Sequence, residues 1–96
     1  MSKLTKMARD KPCMVRLPGC TGGGPDTVLA HYRMAGYCGV GIKPPDVMGA
    51  WACMKCHGLC DSRTHLANLT RSEVKLAHAE GCLRTVAALQ KMGALA

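Results

Sequence analysis

Ala52-Cys53-Met54-Lys55-Cys56-His57 is the stretch from which the fold can be read. A Cys-x-x-Cys pair at the passage from an apolar run into a helix is a half-site for tetrahedral zinc, and here a histidine follows it directly. Working outward, Cys13 and Cys20 offer a second half-site across the turn-forming Pro18-Gly19, with six residues between them. The chain needs such a staple. With 96 residues, no Phe, and only Trp51, Tyr32 and Tyr37 as aromatics, it has little with which to fill a core. The expectation is one domain, residues 1–96, closed by a structural Zn²⁺ on Cys13, Cys20, Cys53 and Cys56, whose binding energy is part of the folding energy.

Seven cysteines in a short secreted chain would point to disulfides. The start, Met-Ser-Lys-Leu-Thr-Lys-Met-Ala-Arg, is basic with no apolar stretch behind it, so it does not read as a signal peptide. No apolar run approaches a membrane span. An odd thiol count without an export signal favours metal ligands and buried thiols, and a cytoplasmic protein. Cys38, Cys60 and Cys82 then read as small apolar residues.

The formal net charge is +7, with Lys3, Lys6, Arg9, Lys11 and Arg16 against Asp10 alone in the first sixteen residues. That balance suits a phosphate backbone, and it equally describes a solvated basic face that aids solubility. Rows of aromatics that stack single-stranded bases are missing, so contact should be chiefly to phosphates.

Residues 1–12 read as a basic N-terminal arm with at most a short helical turn, ending at Pro12. Cys13–Leu17 alternates weakly as a strand would, and Thr27–His31 reads as a strand ending near His31. Residues 33–46, with Gly36, Gly39, Gly41, Pro44 and Pro45, form a long loop, and such loops are usually functional. A second strand is expected over Val47–Ala52, then a helix from about Met54 to His65. The clearest element is a C-terminal helix over 70–93. Thr70-Arg-Ser-Glu73 is a capping box, and Gly93 ends the run. Its expected inner stripe is Val74, Ala77, Gly81, Cys82, Thr85, Ala88, Leu89 and Met92, with His78 structural on the same side. Trp51 is expected in the core beside the cysteines.

On the helix after Cys53, two faces separate. Cys53, Cys56 and Cys60 fall at i, i+3, i+7, and His57, Asp61 and His65 at i, i+4, i+8. A histidine and a carboxylate one turn apart suit a catalytic cation with open positions, although the same spacing also describes a solvated ion pair.

Ala-His31 at a strand end, Gly41-x-Lys43-Pro44-x-Asp46 in a glycine-rich stretch, Ala52-Cys53-x-x-Cys56-His57 and Asp61-x-Arg63 together resemble the HNH nuclease pattern, the ββα-metal or His-Me finger superfamily. More closely, the chain resembles the small prophage-encoded nucleases of the YbcO type, over about Cys13 to His65. The resemblance implies a small α+β fold, an HNH-like ββα-metal core with a four-cysteine zinc staple and a C-terminal helix. It implies a metal-dependent DNA endonuclease or nickase with His31 as general base, Asp46 in the middle position and His57 as metal ligand. A divalent catalytic ion (Mg²⁺, Mn²⁺, Ni²⁺ or Zn²⁺) would rest on His57 with Asp46 or Asp61, and Arg33, Lys43 and Arg63 would touch phosphate. The chain departs from the pattern at Ala30, where many HNH enzymes carry a metal-binding Asp or His, so the ion would lean on Asp46, Asp61 or His65. Two other classes fit the same residues: a zinc-stapled module that grips DNA without cutting it, and a protein-interaction module with a basic face.

Overall fold

The computed structural model describes residues 3–95; the first two residues of the basic arm and Ala96 lie outside them. The chain runs α1 (Lys3–Met7), β1 (Val28–His31), a 3₁₀ turn (Asp46–Met48), β2 (Gly49–Ala52), α2 (Met54–Cys60) and α3 (Arg71–Lys91). β1 and β2 form an antiparallel pair in the register Val28–Ala52, Leu29–Trp51, Ala30–Ala50 and His31–Gly49. Side chains alternate across a strand. Ala30, Ala50 and Ala52 accordingly join the cysteines, Val15, Leu17, Leu59 and Val74 in one core cluster. Leu29 and Trp51 join Ala8 and Leu89 in a second. Both faces of this small sheet are therefore covered, and Trp51 packs opposite the cysteines rather than beside them. The indole is too bulky for the face that the small alanines leave to the four sulfurs.

α3 serves both clusters, contributing Val74 to one and Leu89 to the other. It also closes the free edge of β2. The Trp51 amide donates to Thr85 Oγ1 at 3.0 Å, and that hydroxyl donates in turn to the Gly81 carbonyl at 2.8 Å. The Trp51 carbonyl accepts from the Met14 amide at 2.7 Å. Gly81 permits the approach, for a Cβ there would lie 3.0 Å from Val15 Cγ2 and 3.1 Å from the Met14 carbonyl oxygen. The buried face of α3 is Val74, His78, Gly81, Thr85 and Leu89. Met92 departs from the expected stripe: it is the C-cap residue and is half-exposed, because the helix ends there with Gly93 in the left-handed region.

Four other expectations are corrected. Cys13–Leu17 is not a strand, because its amides go elsewhere: Cys13 to the Gly22 carbonyl, Leu17 to Cys56 Sγ, with Arg16 turned to φ 61° between them. The second strand starts at Gly49, not Val47, because Pro45 leads into a 3₁₀ turn in which the Met48 amide returns to the Pro45 carbonyl. α2 stops at Cys60, short of His65. Ser62 takes φ 63°, its amide bonds to the Leu59 carbonyl and the Arg63 amide to the Gly58 carbonyl, a Schellman stop built without glycine. His65 therefore leaves the His57–Asp61 face and lies exposed. Finally, the basic arm is docked. Ala8 is fully buried, with Leu4 and Met7 packed against the Trp51 cluster, while Lys6 and Arg9 border a groove with Val28 and Leu29, separate from the cleft that His31 lines.

Candidate functional site

The four sulfurs of Cys13, Cys20, Cys53 and Cys56 lie within 4.8 Å of one another. Tetrahedral zinc with bonds of about 2.3 Å sets sulfurs roughly 3.8 Å apart, and Cys53 Sγ and Cys20 Sγ stand at 3.9 Å. Backbone amides point at the sulfurs: Leu17 at Cys56, Gly22 at Cys20, and Cys56 at Cys53, at 3.4, 3.3 and 3.5 Å. Amide donors stabilise thiolates, so the donor set and its surroundings both fit a structural zinc. Cys53 sits at the N-cap of α2. Burial alone would push its thiol up, but hydrogen bonds from the Cys56 amide and from Thr21 outweigh burial and bring it down to about 6. Burial pushes the Cys56 thiol in the opposite direction. Cys60 and Cys82 pack against the cysteine cluster, and burial raises their thiols to about 12 and about 11. Neither belongs to the ligand set.

The second site lies where β1, the 3₁₀ turn, α2 and α3 meet. His31 closes β1, and Asp46 opens the 3₁₀ turn that leads into the paired strand. Their side chains meet, with His31 Nε2 2.7 Å from Asp46 Oδ1, both partly buried. Asp46 accepts, so Nε2 carries a proton and Nδ1 is the ring nitrogen turned away from the carboxylate. Lys43 Nζ stands 3.6 Å from the same carboxylate oxygen and offsets its charge. Asp46 thus stands between His31 and Lys43, in contact with both.

One turn of α2 sets His57 and Asp61 on a common face, with His57 Nε2 3.0 Å from Asp61 Oδ2. Arg63, carried back by the Schellman stop, places Nη2 3.1 Å from His57 Nδ1 and 3.5 Å from Asp61 Oδ2. Donation by Arg63 makes Nδ1 the acceptor, so this imidazole is neutral and donates to Asp61 through Nε2. Burial pushes the His57 pKa down. Asp61 pulls it back, and Arg63 and His31 push it down further.

A cleft of about 520 Å³ opens over these groups, lined by His31, Tyr32, Arg33, Asp61, Arg63, Arg71, Lys75 and His78 among others. Four cations face one carboxylate in that lining. Three of the residues come from α3 and are absent from the sequence-based set. Arg71, Lys75 and His78 fall at i, i+4 and i+7, one face of the helix, and that spacing was the available signal. Arg71 also ties α3 to α2, donating to the Leu59 and Cys60 carbonyls at 2.8 and 3.3 Å. His78 is buried. Its Nε2 donates to the carbonyl of Ala30, the residue before His31, at 2.8 Å, and its ring packs on Tyr32 at 5.1 Å between centroids.

Comparison with known proteins places the chain among nucleases by name. The family described as "Putative nuclease YbcO" matches residues 2–94. The protein called "Putative nuclease YbcO" in Escherichia coli K12 is 43% identical over 96 residues, covering 99% of this chain and 98% of that one. A protein of the same description from Enterobacteria phage 82 matches to the same extent. A solved structure described as a putative bacteriophage protein from Escherichia coli K-12 superposes with a TM-score of 0.79 at 37% identity, over 94% of this chain and 99% of that one.

Proposed function

The chain belongs to the YbcO family of "putative nucleases", one of whose members is phage-encoded, and from that premise we propose that it is a DNA endonuclease or nickase of the HNH type. The observation that carries the reading is the His31–Asp46 pair at the edge of a cleft walled by Arg33, Arg63, Arg71 and Lys75. The β-β-α order, with His31 ending β1 and His57 on α2, supports it. Asp46 holds the His31 ring through Nε2–H, which leaves Nδ1 to take a proton from a water molecule. The arginines and Lys75 seat the scissile phosphodiester and offset the charge that grows on it during in-line attack. Single-metal chemistry then divides the work: the chain supplies the base, and a bound divalent cation would stabilise the leaving oxygen.

His57 is the residue to hold that cation, through the Nδ1 lone pair, with Asp61 orienting the ring from Nε2. This is a thin donor set. It suits an ion whose remaining ligands are phosphate oxygens and water, as Mg²⁺ sites commonly are. Arg63 covers Nδ1 and would have to turn toward the phosphate. We also assign zinc to the four cysteines, and the cytoplasm, where DNA is found, as the place of action.

The Arg63 contact favours a second reading. A guanidinium fixed on His57 and Asp61 could take the cation's place permanently, leaving a zinc-stapled module that binds DNA without cutting it. Nicking of supercoiled plasmid by zinc-loaded protein, with Mg²⁺, Mn²⁺ or Ni²⁺ added, separates the two. Ion-dependent nicking that His31→Ala abolishes is the expected result. Salt-sensitive binding without nicking under any ion would establish the module instead.

A further inference from the structure

The loop between β1 and the 3₁₀ turn exposes apolar side chains on a structured tip. Val40 is fully exposed, Ile42 61% and Tyr37 51%. The tip is a tight turn. The Gly39 amide bonds to the Ile42 carbonyl at 3.2 Å and the Ile42 amide returns to the Gly39 carbonyl at 3.0 Å, with Gly41 at φ 74° supplying the left-handed position. Val40 is thereby held out into solvent between two glycines. Three apolar side chains gathered on one ordered loop form a small patch, and covering it would release the water ordered around it.

We propose that the Gly39–Ile42 turn is a wedge that enters a groove of duplex DNA and partly unstacks a base step beside the phosphate to be cut; this rests on the reading of the cleft as a DNA site. Aliphatic side chains that kink DNA act in this way, prising a step open from the minor groove while flanking cations hold the backbone. The loop has that makeup. Residues 32–45 carry Arg33 and Lys43 and no Asp or Glu. It is continuous with the chemistry: Arg33 lines the cleft, and Lys43 and Asp46 lead back to His31. A protein partner for so basic a loop would need an acidic face. A second copy of this chain, formally +7, offers the wrong charge.

The test uses the whole zinc-loaded chain with His31→Ala, so that DNA stays uncut, on duplexes carrying 2-aminopurine at successive positions. The expected result is a rise in emission at one step, lost in Val40→Ser/Ile42→Ser and enlarged in Val40→Phe. The Tm of these variants should not change, since the tip has no packing to lose. Binding by all variants with no position-specific rise overturns the wedge and leaves the nuclease reading standing. No binding by any of them, with no nicking by the parent, removes both. A change in self-association of Val40→Ser/Ile42→Ser by light scattering, without change in DNA emission, assigns the tip to a second copy and also overturns the proposal.

Discussion

His78 is a buried imidazole that stays neutral because of where it sits. Burial pushes its pKa below the ordinary value near 6.5, against the opposing pull of the Ala30 carbonyl and Asp61. On unfolding, the ring regains its ordinary pKa and takes up a proton first. Stability contributed by this residue is thus intact above about 6.5 and falls as the pH drops through that value toward the lower native pKa. His78→Gln retains a donor for the Ala30 carbonyl but cannot titrate. Urea midpoints at pH values of about 5.5 and 7.5 should differ less in this variant than in the parent. Ser62 offers a second test. It occupies the left-handed region where glycine is favoured, so Ser62→Gly should raise stability by about 0.5–1 kcal/mol, read as a higher Tm. At this scale the sequence is only half legible. The family resemblance singles out His31, Asp46 and His57, but that Asp46 would bind His31 is a fact of the loop's path. That a serine would end α2 follows from no propensity, since glycine is the expected residue at such a stop.

The edge of β2 shows how the elements depend on one another. A two-stranded sheet has marginal stability alone, and here its outer edge is satisfied from outside, by Thr85 on the amide and the Met14 amide on the carbonyl of Trp51. Thr85→Val keeps the shape but leaves the Trp51 amide without an acceptor, which should cost about 1–3 kcal/mol in urea unfolding. Thr85→Ser keeps the hydroxyl and should recover most of that loss. α3 itself is legible from its capping box and its terminal glycine, because both are local signals. The Cys13–Leu17 segment misleads for the complementary reason: its alternation is real, with Cys13, Val15 and Leu17 all buried, but it faces a knuckle of sulfurs instead of a ladder. The α3 wall of the cleft is hidden for a third reason. Arg71 and Lys75 look like ordinary helix surface, and His78 like a structural residue of the inner side, until the helix is laid across α2.

Over the whole molecule, two core clusters share four-residue strands, and one of them is built around sulfur. Four cysteine sulfurs within 4.8 Å of one another could hold a metal ion such as zinc, and as thiolates they would repel one another without a cation among them. Removing zinc with a chelator, or replacing Cys53 with Ser, should abolish the cooperative thermal transition, with zinc loss measured by atomic absorption. An unchanged Tm in metal-free protein would show that the thiols hold the fold as ordinary core residues. The Cys-x-x-Cys half of the cluster is legible because its spacing alone brings two sulfurs to one point, whereas Cys13 and Cys20, more widely spaced, are brought there by the fold.

The cluster also sets which parts of the chain are free to change in length. With an ion bound, Cys20 and Cys53 become the two ends of a closed ring, and β1, the exposed tip and Asp46 all lie on its circumference. The entropy of such a ring grows only with the logarithm of its size, about 0.6 kcal/mol for each doubling. Residues added near Val40 would lengthen the ring at almost no thermodynamic penalty, while one residue added between Cys56 and His57 would rotate His57 and Asp61 relative to the sulfurs by about 100°. The reach of the loop and the geometry of the site are therefore separately adjustable, because a single knot of sulfur fixes one and leaves the other loose.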